Sequence, residues 1–179
     1  MRIVAGSRKG ARIFAPKGLD TRPTGDRVRE AVFNLVGPVD GAVALDLYAG
    51  SGAMGLEALS RGAESAVFVE SDRDACRTIK RNLDKLGLDS AEIVCRDVLS
   101  FLAAERRSFD LILVDPPYDV VESVAVRLAH YLPAALAENG LVALESSSRD
   151  EPQLPPLEIR TSRRYGSVRV TLYESADGP

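Results

Sequence analysis

A chain of 179 residues, 45% hydrophobic and 27% charged, holds enough apolar side chain for one core and one domain with a short appendage. A single histidine (His130) argues against a histidine-based triad or a multi-histidine metal site within the chain, and two cysteines far apart in sequence (Cys76, Cys95), with no C-x-x-C, argue against zinc and redox-dithiol sites. The net charge of −3 hides a division: residues 1–29 carry eight basic and two acidic side chains, so this segment is +6 and the remainder −9. Basic arms beside acidic bodies meet polyanions.

In chain order, "RIVAGSRKGARIFAP" reads as a small basic hairpin with Gly6 to Gly10 near its turn. "PTGDRVREAVFNLVG" reads as a helix with Thr24 as N-cap, an apolar stripe of Val28, Ala31, Val32, Leu35 and Val36, and a stop at Gly37-Pro38. From residue 42, short apolar runs alternate with helical patterns. The runs 42–49, 65–70, 91–95, 109–115 and 140–146 are rich in Val, Ile, Leu or Phe without clean alternation, as in strands buried on both faces of a parallel sheet. Helices are expected at 53–61, at 73–86 (N-cap Asp72, stop Gly87, stripe Cys76, Ile79, Leu83 and Leu86), after Asp97 with Leu99, Leu102 and Ala103 inward, and at 121–132 with Val121, Ala125, Leu128 and Leu132 inward. A last short turn precedes Gly140. The segments "LEIRTS" and "SVRVTLYES", joined across "RRYG", make an antiparallel hairpin. The sum is a doubly wound α/β sheet, five parallel strands ending in a hairpin.

The cysteines read as small core residues in a reducing compartment. The N-terminus lacks the apolar stretch of a signal peptide, and no run approaches the roughly 18 apolar residues of a membrane span, so a cytoplasmic protein is expected.

"LDLYAGSGAMGLEALSRG" (45–62) contains G-x-G-x-x-G at Gly50, Gly52 and Gly55, with Glu70 twenty positions past Gly50, which is also how a nicotinamide-dinucleotide site reads. In an open α/β sheet the ligand lies beyond the C-terminal strand ends, which gathers Asp46, Tyr48, Ala49, Gly50, Ser51 and Gly52 with Glu70, Ser71, Asp97, Val98 and the stretch after Asp115. Four carboxylates on this rim repel a pyrophosphate but suit a cofactor with an amino acid head, a sulfonium and a ribose. Asp46 would face the ammonium or cap the first turn. Gly50 and Gly52 would bare the backbone for the cofactor. Glu70 would take both ribose hydroxyls, and Asp97 an adenine amine or a helix N-terminus. This is the layout expected for S-adenosylmethionine; no metal is expected.

"VDPPYD" (114–119) places two prolines after an apolar strand, forbidding helix and further ladder bonds. The resulting rigid turn would offer Asp115 and the Pro116 carbonyl as acceptors, with Pro117 stiffening it and Tyr118 supplying a stacking face. Such a set suits a planar base carrying an exocyclic amine. A nicotinamide-dependent oxidoreductase and a non-catalytic RNA-binding assembly factor are the rival readings.

Residues 43–118 resemble the class I S-adenosylmethionine-dependent methyltransferases, with "DLYAGSG" as first motif. "DPPY" resembles the (D/N)PPY motif of enzymes that methylate exocyclic amines of bases, adenine or guanine. "RIVAGSRKG", "RPTGDRVREAVFN", "DLYAGSGAMGLEALSRGA" and "RRYGSVRVTLYE" are similar to the RsmD family of 16S ribosomal RNA guanine-N2 methyltransferases, across nearly the whole chain. The resemblance implies a Rossmann-like, seven-stranded, mostly parallel sheet with the last strand antiparallel, in a methyltransferase domain over 38–179 to which residues 1–37 are appended. It implies methylation of guanine 966 in the assembling small subunit. Arg8, Lys9, Arg22, Arg27 and Arg29 would then meet phosphates, with Arg22-Pro23-Thr24 near the target base. A monomer is expected.

Overall fold

The computed structural model describes residues 1–16, 25–117 and 121–176. After a 3-10 turn at Gly6–Arg8 come α1 (Gly25–Val36), β1 (Val43–Leu47), α2 (Ala53–Ser60), β2 (Ser65–Glu70), α3 (Arg73–Leu86) and β3 (Ala91–Cys95). Then follow α4 (Val98–Ala104), β4 (Phe109–Val114), α5 (Val121–Ala135), β5 (Leu136–Ser147), β6 (Glu158–Tyr165) and β7 (Val168–Glu174). All seven strands form one sheet in the order β3-β2-β1-β4-β5-β7-β6. β1 to β5 are parallel, and β7 runs antiparallel to both of its neighbours.

Successive strand residues feed two separate cores, which is why the runs are apolar throughout. Ala44, Phe68, Leu111 and Leu113 pack with α1, α2 and α3. Leu45, Leu47, Val67, Val69, Ile112 and Val114 pack with α4 and α5. Asp72 caps α3 by accepting from Asp74 N–H at 2.9 Å, and Gly87 ends it in the left-handed conformation (φ 59°).

Three local expectations change. The turn expected before Gly140 is the bulged start of β5: Leu136 pairs with Phe109, and the register then slips to Leu111 with Leu141. β6 continues through Arg163 and Arg164 to Tyr165, so the hairpin turns at Gly166-Ser167; polar edge-strand residues leave no apolar trace to read. On α4, Ala103 is exposed and Phe101 takes the inward place.

The N-terminal segment is docked on the core. Ile3 N–H donates to the Ala11 carbonyl at 2.9 Å and Gly10 N–H to the Ile3 carbonyl at 2.8 Å, closing a small hairpin. Ile3, Ile13, Val28, Val32 and Phe33 belong to the same apolar cluster as Phe68. The clasp is Glu57, fully buried on α2. Its Oε2 accepts from Val4 N–H at 2.8 Å and Arg29 Nε at 3.3 Å; its Oε1 accepts from Ala5 N–H at 2.9 Å and Arg61 Nε at 2.8 Å. Arg29, itself 3% exposed, also reaches Asp26 Oδ1 at 2.8 Å and the Arg2 carbonyl. A buried ion pair of this kind is tolerable because each charge is also hydrogen-bonded.

Glu57→Ala strands Arg29 without its buried acceptor and is expected to cost about 3–5 kcal/mol of stability, read as a lower urea midpoint. A loss under about 1 kcal/mol would show that Asp26 and the Arg2 carbonyl suffice for Arg29.

Candidate active site

The sheet register assembles the site. Leu47 pairs with Val69 on one side and Val114 on the other, and Glu70 pairs with Cys95. Tyr48, Glu70, Asp115 and Arg96-Asp97 therefore leave the sheet at neighbouring points of its C-terminal rim. The chain order reverses between β1 and β4, which is where a doubly wound sheet opens a crevice.

The loop from β1 into α2 is bent by left-handed residues at Tyr48 (φ 60°), Gly50 (φ 54°) and Gly52 (φ 78°). Tyr48 is the costly one, because a side chain in this region is strained. Side chains from three elements hold the loop. Asp46 lies two residues from Ala44 on the same sheet face, so it points toward α2, where its Oδ2 accepts from Gly55 N–H at 2.8 Å. Glu70 Oε2 accepts from Gly50 N–H and its Oε1 from Asp72 N–H, both at 2.9 Å. Asn82 on α3 donates from Nδ2 to the Ser51 and Phe14 carbonyls, each at 3.0 Å, and accepts Phe14 N–H on Oδ1 at 2.7 Å.

Asp46 is 2% exposed. Burial pushes its carboxyl up to about 7, against the Gly55 hydrogen bond and with the Glu70 charge adding to the rise. Of Asp46's two expected roles, the capping one is seen. Asp97 likewise caps α4: its Oδ1 accepts from Ser100 N–H and Oγ, both at 2.9 Å, which hold its carboxyl below the usual range. Asp97 is exposed, with its second oxygen outside those two bonds. Burial and the Asp97 charge push the Tyr48 phenol up, opposed by Arg127 of α5. Arg127 thus stands at this rim, a residue unremarked in the sequence because nothing local separates it from any exposed helix arginine.

The glycines divide their labour differently from expectation. A Cβ on Gly50 would meet only the Tyr48 carbonyl, at 3.9 Å, so that face is open. A Cβ on Gly52 would meet Ile79 at 3.2 Å and Phe68 at 3.3 Å, so its bare side faces the core and not the crevice. On Gly55 a Cβ would fall 2.4 Å from the Phe68 ring: this glycine lets α2 lie on β2. Ala49, Ser51 and Val98 are buried, whereas Ser71 is exposed with its Oγ 3.4 Å from Glu70 Oε1.

At the end of β4, Asp115 N–H approaches the Leu47 carbonyl at 3.5 Å; Asp115 and Pro117 are exposed and Pro116 is buried. Tyr118, Arg22 and Thr24 lie outside the described residues. Of the other expected phosphate ligands, Lys9 and Arg27 are not buried. Arg29 is corrected to a buried structural ion. Arg8 is largely committed to the end of α3, its Nε donating to the Leu86 carbonyl at 2.6 Å and its Nη2 to the Gly87 carbonyl at 3.3 Å. On α3, Arg81 lies over the Phe14 ring at 3.6 Å and Lys85 at 4.5 Å, extending the basic face of the hairpin. The cysteines are not core residues: Cys95 is exposed, and Cys76 is half-buried beside it. Among the described residues, no group of three or more His, Cys, Asp or Glu is arranged to hold a metal ion, and no helix is long and apolar enough to cross a membrane.

A glycine turn after β1, an acid ending β2, and a seven-stranded sheet whose last strand alone is antiparallel define the Rossmann-like fold of class I methyltransferases. A family model described as "Conserved hypothetical protein 95" matches residues 1–174. Ribosomal RNA small subunit methyltransferase D of Escherichia coli K12 is 42% identical over 179 residues, covering 97% of this chain and 89% of its own. The protein of that name from Haemophilus influenzae is 32% identical over 188 residues, covering 98% and 94%. A solved structure of a hypothetical protein from Thermus thermophilus matches with a TM-score of 0.81 and 33% identity, over 97% of this chain and 99% of that one. The chain belongs to this family, the RsmD family.

Because the folded Asp46 carboxyl binds its proton up to about pH 7 and the unfolded one only to 3.8, its contribution to stability is complete below pH 3.8 and lost as pH rises through 7. Asp46→Asn keeps an acceptor for Gly55 without the buried charge. Its ligand-free Tm at pH 8 is expected to exceed the parent's by at least about 2 °C, and the gap to vanish below about pH 4. Equal melting at pH 8 would mean that water reaches the carboxylate.

Proposed function

We propose that this chain transfers a methyl group from S-adenosylmethionine to the exocyclic N2 of a guanine, guanine 966, in 16S rRNA of the assembling small ribosomal subunit. The observation that carries the reading is the Asp115-Pro116-Pro117 turn at the end of β4, one strand from the glycine loop and two from Glu70. The names of the two methyltransferase relatives support the substrate class.

The residues present fit this cofactor. Gly50 leaves an open face for it, and each Glu70 oxygen, although engaged by a backbone N–H, retains acceptor capacity for a ribose hydroxyl. Asp97 would hold the adenine amine through its other oxygen, and the acidic rim would favour the cationic end of the amino acid head. When bound, S-adenosylmethionine supplies an electrophilic methyl group on a sulfonium sulfur.

Asp115 and the Pro116 carbonyl accept the two amine protons of the target base. That orients the nitrogen lone pair and stabilises the positive charge that develops as the new N–C bond forms. Tyr118 stacks on the base, which must be flipped from its helix or unpaired. Lys9, Arg27 and Arg22 meet phosphates, and Thr24 lies near the base. Neither cysteine takes part, and the chain acts as a monomer in the cytoplasm.

The direct test is incubation with methyl-labelled cofactor and small subunits lacking the modification, followed by nucleoside analysis. N2-methylguanosine is expected; N6-methyladenosine would overturn the choice of base, and no transfer would overturn the function. Asp115→Ala is expected to lower kcat by about 100-fold or more, with the cofactor Kd changed less than about threefold. A near-normal kcat would remove Asp115 from its role. Lys9→Ala with Arg27→Ala is expected to flatten the slope of log affinity against log salt by about 1–2, and an unchanged slope would take both off the RNA.

A further inference from the structure

Cys76 and Cys95 are 19 residues apart in the chain and come from different elements, the first turn of α3 and the last residue of β3. Register places Cys95 beside Glu70, and α3 starts three residues after Glu70, so the two sulfurs meet at the edge of the crevice, 2.7 Å apart. Cys95 is exposed, so a small oxidant reaches it. The pair is embedded in the bonds that hold Glu70. The Cys76 thiol faces the Glu70 carbonyl at 3.4 Å, which also accepts Arg96 N–H at 2.9 Å. Cys76 N–H donates to the Asp72 carbonyl at 2.9 Å, and Asp72 N–H holds Glu70 Oε1. Asp97 stands two residues beyond Cys95.

We propose that Cys76 and Cys95 form a reversible dithiol–disulfide site, oxidised by hydrogen peroxide and coupled to cofactor binding at Glu70 and Asp97. The coupling rests on the cofactor reading above. In the first step the Cys95 thiolate attacks a peroxide oxygen: an S–O bond forms, the O–O bond breaks, and the released hydroxide leaves as water with the proton that the thiol gave up. Cys95 is then a sulfenic acid. The Cys76 sulfur attacks it, the S–S bond forms, the S–O bond breaks, and the hydroxide leaves as a second water with the Cys76 proton. Two thiols lose two electrons and the peroxide gains them.

Burial, then the neighbouring Cys95 sulfur and the Glu70 and Asp72 charges, push the Cys76 thiol up to about 12. Cys95, the exposed sulfur, meets the peroxide first, and the half-buried Cys76 supplies the second thiol. The bridge takes the thiol proton away from the Glu70 carbonyl. It also ties the turn bearing Asp72 to the strand end ahead of Asp97, so both cofactor-holding carboxylates sit on bridged segments.

The full chain is treated with a small excess of peroxide, alkylated with N-ethylmaleimide and weighed, and S-adenosylhomocysteine binding is measured by calorimetry before and after. The expected product is two hydrogens lighter, takes no maleimide, reverts with dithiothreitol, and binds at least about fivefold more weakly. Cys76→Ser with Cys95→Ser is expected to bind with an affinity that peroxide does not change. Thiols that stay alkylatable, or oxidation stopping at sulfinic acid, would overturn the proposal, as would a disulfide that leaves affinity within about twofold. Reduced protein that binds no S-adenosylhomocysteine would instead overturn the cofactor reading, and the thiol chemistry would still be read from the mass.

Discussion

Between Leu47 and Ala53 the backbone leaves a strand and enters a helix with neither ladder nor helical partners for much of its length. Buried backbone polar groups without partners are expensive, so something else must bind them. Asp46 takes Gly55 N–H, Glu70 takes Gly50 N–H, and Asn82 takes the Ser51 carbonyl. The loop is thus ordered before any ligand arrives, and its ordering entropy is not subtracted from binding. The left-handed Tyr48 is a local cost that this clamping sustains.

The same clamps join the N-terminal segment to the site. Asn82 holds Phe14 of the hairpin and Ser51 of the loop with one amide, so a displaced hairpin would release the loop. At the other end of the hairpin, Glu57 gathers two backbone N–H groups and two guanidinium groups. Two of the positive charges that read as a phosphate-seeking arm are thereby used within the protein. Arg29 neutralises a buried carboxylate and Arg8 closes the end of α3. Among the described residues, Arg2, Lys9, Arg12 and Arg27 stay outward, with Arg81 and Lys85 of α3 beside Phe14.

The rim draws its chemistry from opposing demands on carboxylates. Asp46 is desolvated and held near neutrality, whereas Asp97 is exposed and stabilised as an anion by two donors from Ser100. Arg127 of α5 opposes the negative potential at the same edge. One crevice therefore presents acids of different proton affinity, and the thiol pair lies against the acid between them, Glu70.

Periodicity and punctuation determined most of the fold. Apolar runs without alternation marked five parallel strands, and Asp72 and Gly87 bounded α3 at its observed residues, because these signals are local: burial on both faces, a side-chain acceptor for a free N–H, a left-handed stop. The place of the crevice was legible too, since strand ends in a doubly wound sheet share one rim. Tertiary structure alone decided which side chains spend their charge inside. Glu57 sits among apolar helix neighbours, Asn82 on the apolar stripe of α3, and Arg29 beside ordinary surface residues. Each finds a partner 28 or more positions away. Gly52 turned inward, and Cys76 and Cys95 met at the rim, for the same reason: sheet register and helix docking bring distant positions together, and no pattern within a window of sequence encodes that distance.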